Sequence, residues 1–116
     1  MTHAVRRDLR VLIAQGATTS RRDWTRDEVE LYAKSLIVAF TGTWQFSRLT
    51  LATHLYRDVR WDQADIGEYR LALEELFGVE LAAISFFCAR TVSDVCDLVL
   101  RALLREGHAL AGPPAA

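Results

Sequence analysis

The side chains able to do chemistry are few in this sequence, and their spacing decides what chemistry is open to them. Cys88 and Cys96 are its two thiols, and His3, His54 and His108 its three imidazoles. A tetrahedral zinc site needs Cys and His ligands in short paired spacings. Neither cysteine has a histidine near it in sequence, and the three histidines share no helical face. The expectation is that both cysteines are reduced core residues, since a free Cys behaves as a small hydrophobe. No nucleophile–base pair, carboxylate dyad or metal set is legible, so the chain reads as a non-enzyme with no metal and no cofactor. What remains is charge. Asp62, Asp65, Glu68, Glu74 and Glu75 crowd one segment, and arginines crowd another.

The formal net charge of −1 conceals that division. Residues 1–26 carry Arg6, Arg7, Arg10, Arg21, Arg22 and Arg26 against Asp8 and Asp23, whereas the rest of the chain has an acidic excess. A basic arm therefore precedes an acidic domain, which bears on partners rather than on fold. Nucleic acid is not the expected partner, because the acidic domain repels phosphate.

The elements that position these charges follow from apolar spacing. Val5, Leu9, Leu12 and Ile13 recur on one helical face, ended by Gly16 and a linker, Ala17-Thr18-Thr19-Ser20. Thr25-Arg26-Asp27-Glu28 is a capping box. It opens a helix over about 26–40 with Val29, Tyr32, Ala33, Leu36, Ile37 and Phe40 on one side. A loop of some twenty residues follows, of a length that in compact domains is usually functional, and its apolar residues Trp44, Phe46, Leu49, Leu51 and Leu55 lead to the expectation that it lies across the bundle and packs down. From Asp62 to Phe77 the period is helical again, with Ile66, Tyr69, Leu73, Leu76 and Phe77 inward and Gly78 placed as a C′ glycine. A short apolar stretch, 82–89, leads to a last helix ending about Arg105, with Val92, Val95, Cys96, Val99 and Leu103 inward. The fold class predicted is all-α, a four-helix bundle of three main helices and a short penultimate one. The expected boundaries are a basic arm and linker over 1–24, a helical domain over 25–106 and a disordered tail over 107–116.

Within that pattern one stretch is specific. Leu55, Asp58, Asp62, Ala72-Leu73-Glu74-Glu75, Phe77-Gly78-Val79-Glu80 and Thr91-Val92-Ser93-Asp94 stand in an order and spacing that resembles the acyl carrier proteins, and the resemblance covers about residues 26–105. It implies the acyl-carrier-protein-like fold, with a long first loop. The basic arm lies outside the resemblance. In that family a serine directly after the helix-opening aspartate carries phosphopantetheine, whose thiol holds the acyl chain. Here the triplet is Asp62-Gln63-Ala64, and a glutamine amide has no hydroxyl with which to attack the coenzyme A pyrophosphate. Ser47, Ser85 and Ser93 lie elsewhere and do not follow an aspartate at a helix start. The resemblance thus implies a carrier fold without carrier chemistry and with no cofactor attached. Other departures agree. Arg60-Trp61 stand where the family has a glycine, at the mouth of the expected acyl cavity, and the penultimate helix, Ile84-Ser85-Phe86-Phe87-Cys88, lacks the usual acids. Gly67 inside the second helix costs ~1 kcal/mol relative to alanine.

In the family the second helix presents acids around a central apolar residue to basic patches on partner enzymes. By resemblance the partner-binding residues here are Asp62, Asp65, Glu68, Leu71 and Glu75, and the expected partner is a protein with a basic patch, connected to fatty-acid, lipid or polyketide metabolism. Ordinary helix physics also favours acids such as Asp65 and Glu68 near the positive end of the helix dipole. A second expectation is a noncovalent binder of a fatty-acyl or other apolar ligand within the bundle. Phe86 and Phe87 are expected to form an exposed patch for self-association or docking, since a one-turn helix cannot bury Ile84, Phe86, Phe87 and Cys88 on one side. No apolar run reaches the ~20 residues needed to span a bilayer and no signal-peptide h-region is legible, so no membrane partner and a cytoplasmic location are expected.

Overall fold

A computed structural model describes residues 24–106. The expected arm helix over 5–13, the 17–20 linker and the 107–116 tail lie outside the described residues. Four helices account for most of what is described: α1, Arg26–Thr41; α2, Gln63–Phe77; α3, Ala83–Cys88; and α4, Val92–Arg105. Among the described residues there is no strand beyond an isolated bridge between His54 and Thr91. The molecule is an all-α bundle.

Each long helix begins with the same device. The Thr25 hydroxyl accepts from the Glu28 amide and the Glu28 carboxylate accepts from the Thr25 amide. Asp62 and Asp65 repeat the exchange at the start of α2, at 2.9 and 3.0 Å. Thr91 and Asp94 repeat it at α4. A cap of this kind satisfies amides that the helix itself leaves unpaired and is worth ~1 kcal/mol. At the other end, Gly42 (φ 68°) and Gly78 (φ 67°) close α1 and α2 in the left-handed region that glycine enters without steric cost.

The core is continuous. Val29, Ala33, Leu36 and Ile37 of α1 meet Ile66, Tyr69, Leu73 and Leu76 of α2 and Val92, Val95, Val99 and Leu103 of α4. Trp24, placed with the arm on sequence grounds, belongs to this core: its ring lies 4.8 Å from that of Phe77 and 5.6 Å from that of Tyr32. Cys96 is buried as expected, and burial, with the charges of Glu30 and Asp97, pushes its thiol up to about 11. Cys88 is exposed, contrary to expectation.

The reason lies in α3. Its single turn and a half turns only Phe86 inward, onto Tyr69 with ring centroids 5.9 Å apart. Phe86 is 1% exposed, so the expectation that it forms a surface patch with Phe87 is wrong; Ile84, at 83%, and Phe87, at 37%, are the residues turned outward. Phe86 is the one buried residue of this short helix.

The long connection from α1 to α2, which includes a 3₁₀ turn over Phe46–Arg48, is fastened mainly by its backbone. The Leu55 amide donates to Arg90 O (2.7 Å), and Thr53 O and Leu51 O accept from the Val92 and Ser93 amides (3.1 and 2.9 Å). The Tyr56 hydroxyl donates to Phe87 O at 3.0 Å. Leu49, Leu55, Val59 and Trp61 are buried beneath it, while Phe46 and Leu51 stay exposed. The connection is thereby tied to the α3–α4 junction and delivers the chain to the first residue of α2.

Candidate protein-docking face of the second helix

The start of α2 is the position at which the resemblance places the attachment residue of a carrier. Gln63 is the first residue of the helix and is exposed, with Asp62 as its N-cap. The Asp62 carboxylate accepts from the Asp65 amide, and chiefly for that reason its pKa lies below the ordinary carboxylate range. Asp65 is half-buried and accepts from the Asp62 amide in turn. These two acids, read by resemblance as partner-binding, have a local task in each other's company. The Asp-x-x-Asp spacing at a helix start is a signal from which this capping could have been read in the sequence.

Immediately before them, Arg60 sits at φ 63°, the single non-glycine residue among those described with positive φ. A side chain there brings Cβ against the following carbonyl, at roughly 1–2 kcal/mol. It occupies the place for which the resemblance implies glycine. Trp61, next in line, is buried rather than held at a mouth: its ring packs 4.9 Å from Tyr69 and 6.1 Å from Phe40. With Phe86 these rings form an aromatic cluster where the helices face one another. Tyr69 donates its hydroxyl to Ala33 O at 2.8 Å, and burial holds its pKa well above the usual phenolic value.

Further along α2 the acids divide. Glu74 turns back onto its own chain: one oxygen accepts from Arg70 Nη1 at 3.3 Å and the other from the Leu81 amide at 2.8 Å, while the same Nη1 donates to Leu81 O at 3.1 Å. This clamp fixes the turn from α2 into α3 and occupies the one basic side chain of α2. Glu68 and Glu75 point outward. Between them Leu71 is 57% exposed. Residues 68, 71 and 75 follow the i, i+3, i+7 spacing that places them on one side of a helix. The structure therefore brings Glu68, Leu71 and Glu75 together on the surface and draws Asp65 and Glu74 into the local scaffold. Among the described residues, nothing apart from the neighbouring backbone of α2 lies within 4 Å of where a Gly67 side chain would stand.

A second feature was not legible in the sequence. Two adjoining cavities, of about 230 and 210 Å³, open between α3 and α4 and share Ser85, Leu98 and Arg101. Asp94 and Asp97 line one and Glu80 and Arg105 the other. Their walls are polar and charged, unlike those of an apolar-ligand pocket. Among the described residues no group of three or more metal-ligating side chains stands together, and no helix is long and apolar enough to cross a membrane. Neither a protein-family model nor a curated protein matches the sequence.

Proposed function

We propose that this chain is a protein-interaction module with a carrier-like fold, which docks a basic partner protein through the outer face of α2 and shuttles no acyl group. The observation that carries the reading is the exposure of Leu71 between the outward-pointing Glu68 and Glu75. An apolar anchor ringed by like charges suits a partner that offers a small hydrophobic socket within a basic rim. Gln63 at the first position of α2 supports the second half of the reading, because it supplies no nucleophile. The resemblance to acyl carrier proteins directs the search for a partner toward the enzymes and regulators of fatty-acid, lipid or polyketide metabolism.

The alternative, an apolar ligand held inside the bundle, has less to support it. Trp61, Tyr69, Phe40 and Phe86 fill the space between the helices with aromatic rings, and the cavities between α3 and α4 are polar.

Two measurements test the proposal. Incubation with a phosphopantetheinyl transferase and coenzyme A leaves the intact mass unchanged; an adduct on any residue overturns the non-carrier reading. Affinity capture with the full chain retains a partner that is lost with Glu68→Lys/Glu75→Lys, while the thermal melt of the variant matches that of the parent. Equal capture by a folded variant overturns the docking reading.

A further inference from the structure

We propose that the basic segment preceding Trp24 binds the acidic outer face of α2 in its own chain and covers Glu68, Leu71 and Glu75. Residues 1–23 lie outside the described residues and enter by their sequence alone. The contact itself needs no partner; its regulatory consequence, that a partner must displace the segment, rests on the docking function proposed above.

The point of departure is fixed. Trp24 is buried with its ring 4.8 Å from Phe77, the last residue of α2, so the preceding chain starts from the C-terminal end of that helix. Glu68 lies nine residues back along α2, about 14 Å at 1.5 Å per residue. Residues 16–23 reach roughly 25 Å when extended. The segment bearing Val5, Leu9, Leu12 and Ile13 is therefore within range of the whole outer face.

Charge selects that face over its neighbours. Outside residues 62–77 the described residues balance, with eight acidic and eight basic side chains; within 62–77 five acids face Arg70 alone. Arg70 is itself held by Glu74 and Leu81. On α1 Glu28 is engaged in its capping box and Glu30 with Lys34 at 2.7 Å, which leaves Asp27 as a single exposed acid beside Arg26. The groove between α3 and α4 sets Arg101 and Arg105 against Asp94, Asp97 and Glu80, so its charges nearly cancel and it offers a basic segment less than 62–77 does. Residues 1–23 bring Arg6, Arg7, Arg10, Arg21 and Arg22 against Asp8 and Asp23. Their apolar residues match Leu71, the most exposed large apolar side chain of α2. A short tether holds the two at an effective concentration in the millimolar range, so an intrinsic affinity of only ~1 mM covers the face about half of the time.

Amide NMR of the full chain tests this in two independent ways. Raising the salt to about 1 M, where the Debye length is about 3 Å, releases the segment without any substitution. The variant Arg6→Gln/Arg7→Gln/Arg10→Gln releases it at low salt. Both move the amides around Glu68, Leu71 and Glu75 in the same direction, independently of protein concentration. Amides of 62–77 that coincide between parent and variant overturn the proposal, as does a response confined to another helix. Shifts that grow with protein concentration place the contact between two chains and overturn it too. The same arginine variant binds the captured partner about twofold more tightly, because the competent fraction rises from half toward one. If the NMR contact is absent while capture still depends on Glu68 and Glu75, the arm proposal alone fails. If the contact is present while capture ignores those residues, the docking reading fails and the contact stands.

Discussion

Arg60 joins the long connection to α2 at a backbone angle that an arginine adopts at a cost. Its φ of 63° sets Cβ against the following carbonyl, and its side chain is exposed. Arg60→Gly removes ~1–2 kcal/mol of folded-state strain and restores ~0.5–1 kcal/mol of unfolded-state entropy, leaving a net gain of about 0.5–1 kcal/mol. The urea midpoint of the variant lies above that of the parent; an equal or lower midpoint shows that the guanidinium stabilises the fold. The sequence marked this position only as a departure from a resemblance. Backbone angle is invisible in residue type unless the residue is glycine, so the strain shows only in the folded chain. Glu74 and Glu75 make the same point. Adjacent and alike in sequence, they take opposite roles because a helix turns them about 100° apart, one toward Leu81 and one toward solvent.

At the scale of elements, the three long helices were legible from their apolar faces and the first also from its capping pair; the structure shows that all three begin alike. Thr25/Glu28, Asp62/Asp65 and Thr91/Asp94 exchange side chain and backbone in the same manner. Asp94 also ties α4 to the junction before it, since the Arg90 amide donates to its carboxylate at 3.0 Å. That bond first, and those at Thr91 after it, hold the Asp94 pKa below the ordinary carboxylate range. A carboxyl whose pKa is lower folded than unfolded binds fewer protons in the folded state. Its contribution is complete above the unfolded value and is lost as the pH falls through the folded one. The melting temperature therefore drops on acidification below the ordinary aspartate range, and Asp94→Asn, which keeps an acceptor but not the charge, melts lower at neutral pH with a shallower acid slope. Parallel slopes for the two proteins contradict this assignment. The one-turn α3 offered no period to read, so Phe86 and Phe87 looked equivalent until packing separated them. The fastening of the long connection was hidden for another reason: its hydrogen bonds to Arg90, Val92 and Ser93 are made by backbone groups that every residue carries.

Over the whole molecule, charge and apolar surface are distributed in a way that individual helices do not reveal. The acidic excess of the described residues resides in 62–77, and the middle of that segment exposes a leucine rather than burying it. The sequence located both features, because a helical face can be drawn from residue order alone. Which acids would be consumed locally was decided by the turn at Gly78 and the cap at Asp62, and those depend on the fold. In the proposed function the exposed Leu71 is the binding anchor. Full burial of a leucine is worth about 1.5–3 kcal/mol, and 1.4 kcal/mol corresponds to a factor of ten in affinity. The direct measurement is a titration of the captured partner with the parent chain and with Leu71→Ser, each verified as folded by its thermal melt. The variant is expected to bind about tenfold more weakly or worse; equal affinity for the two chains contradicts the anchoring role of Leu71.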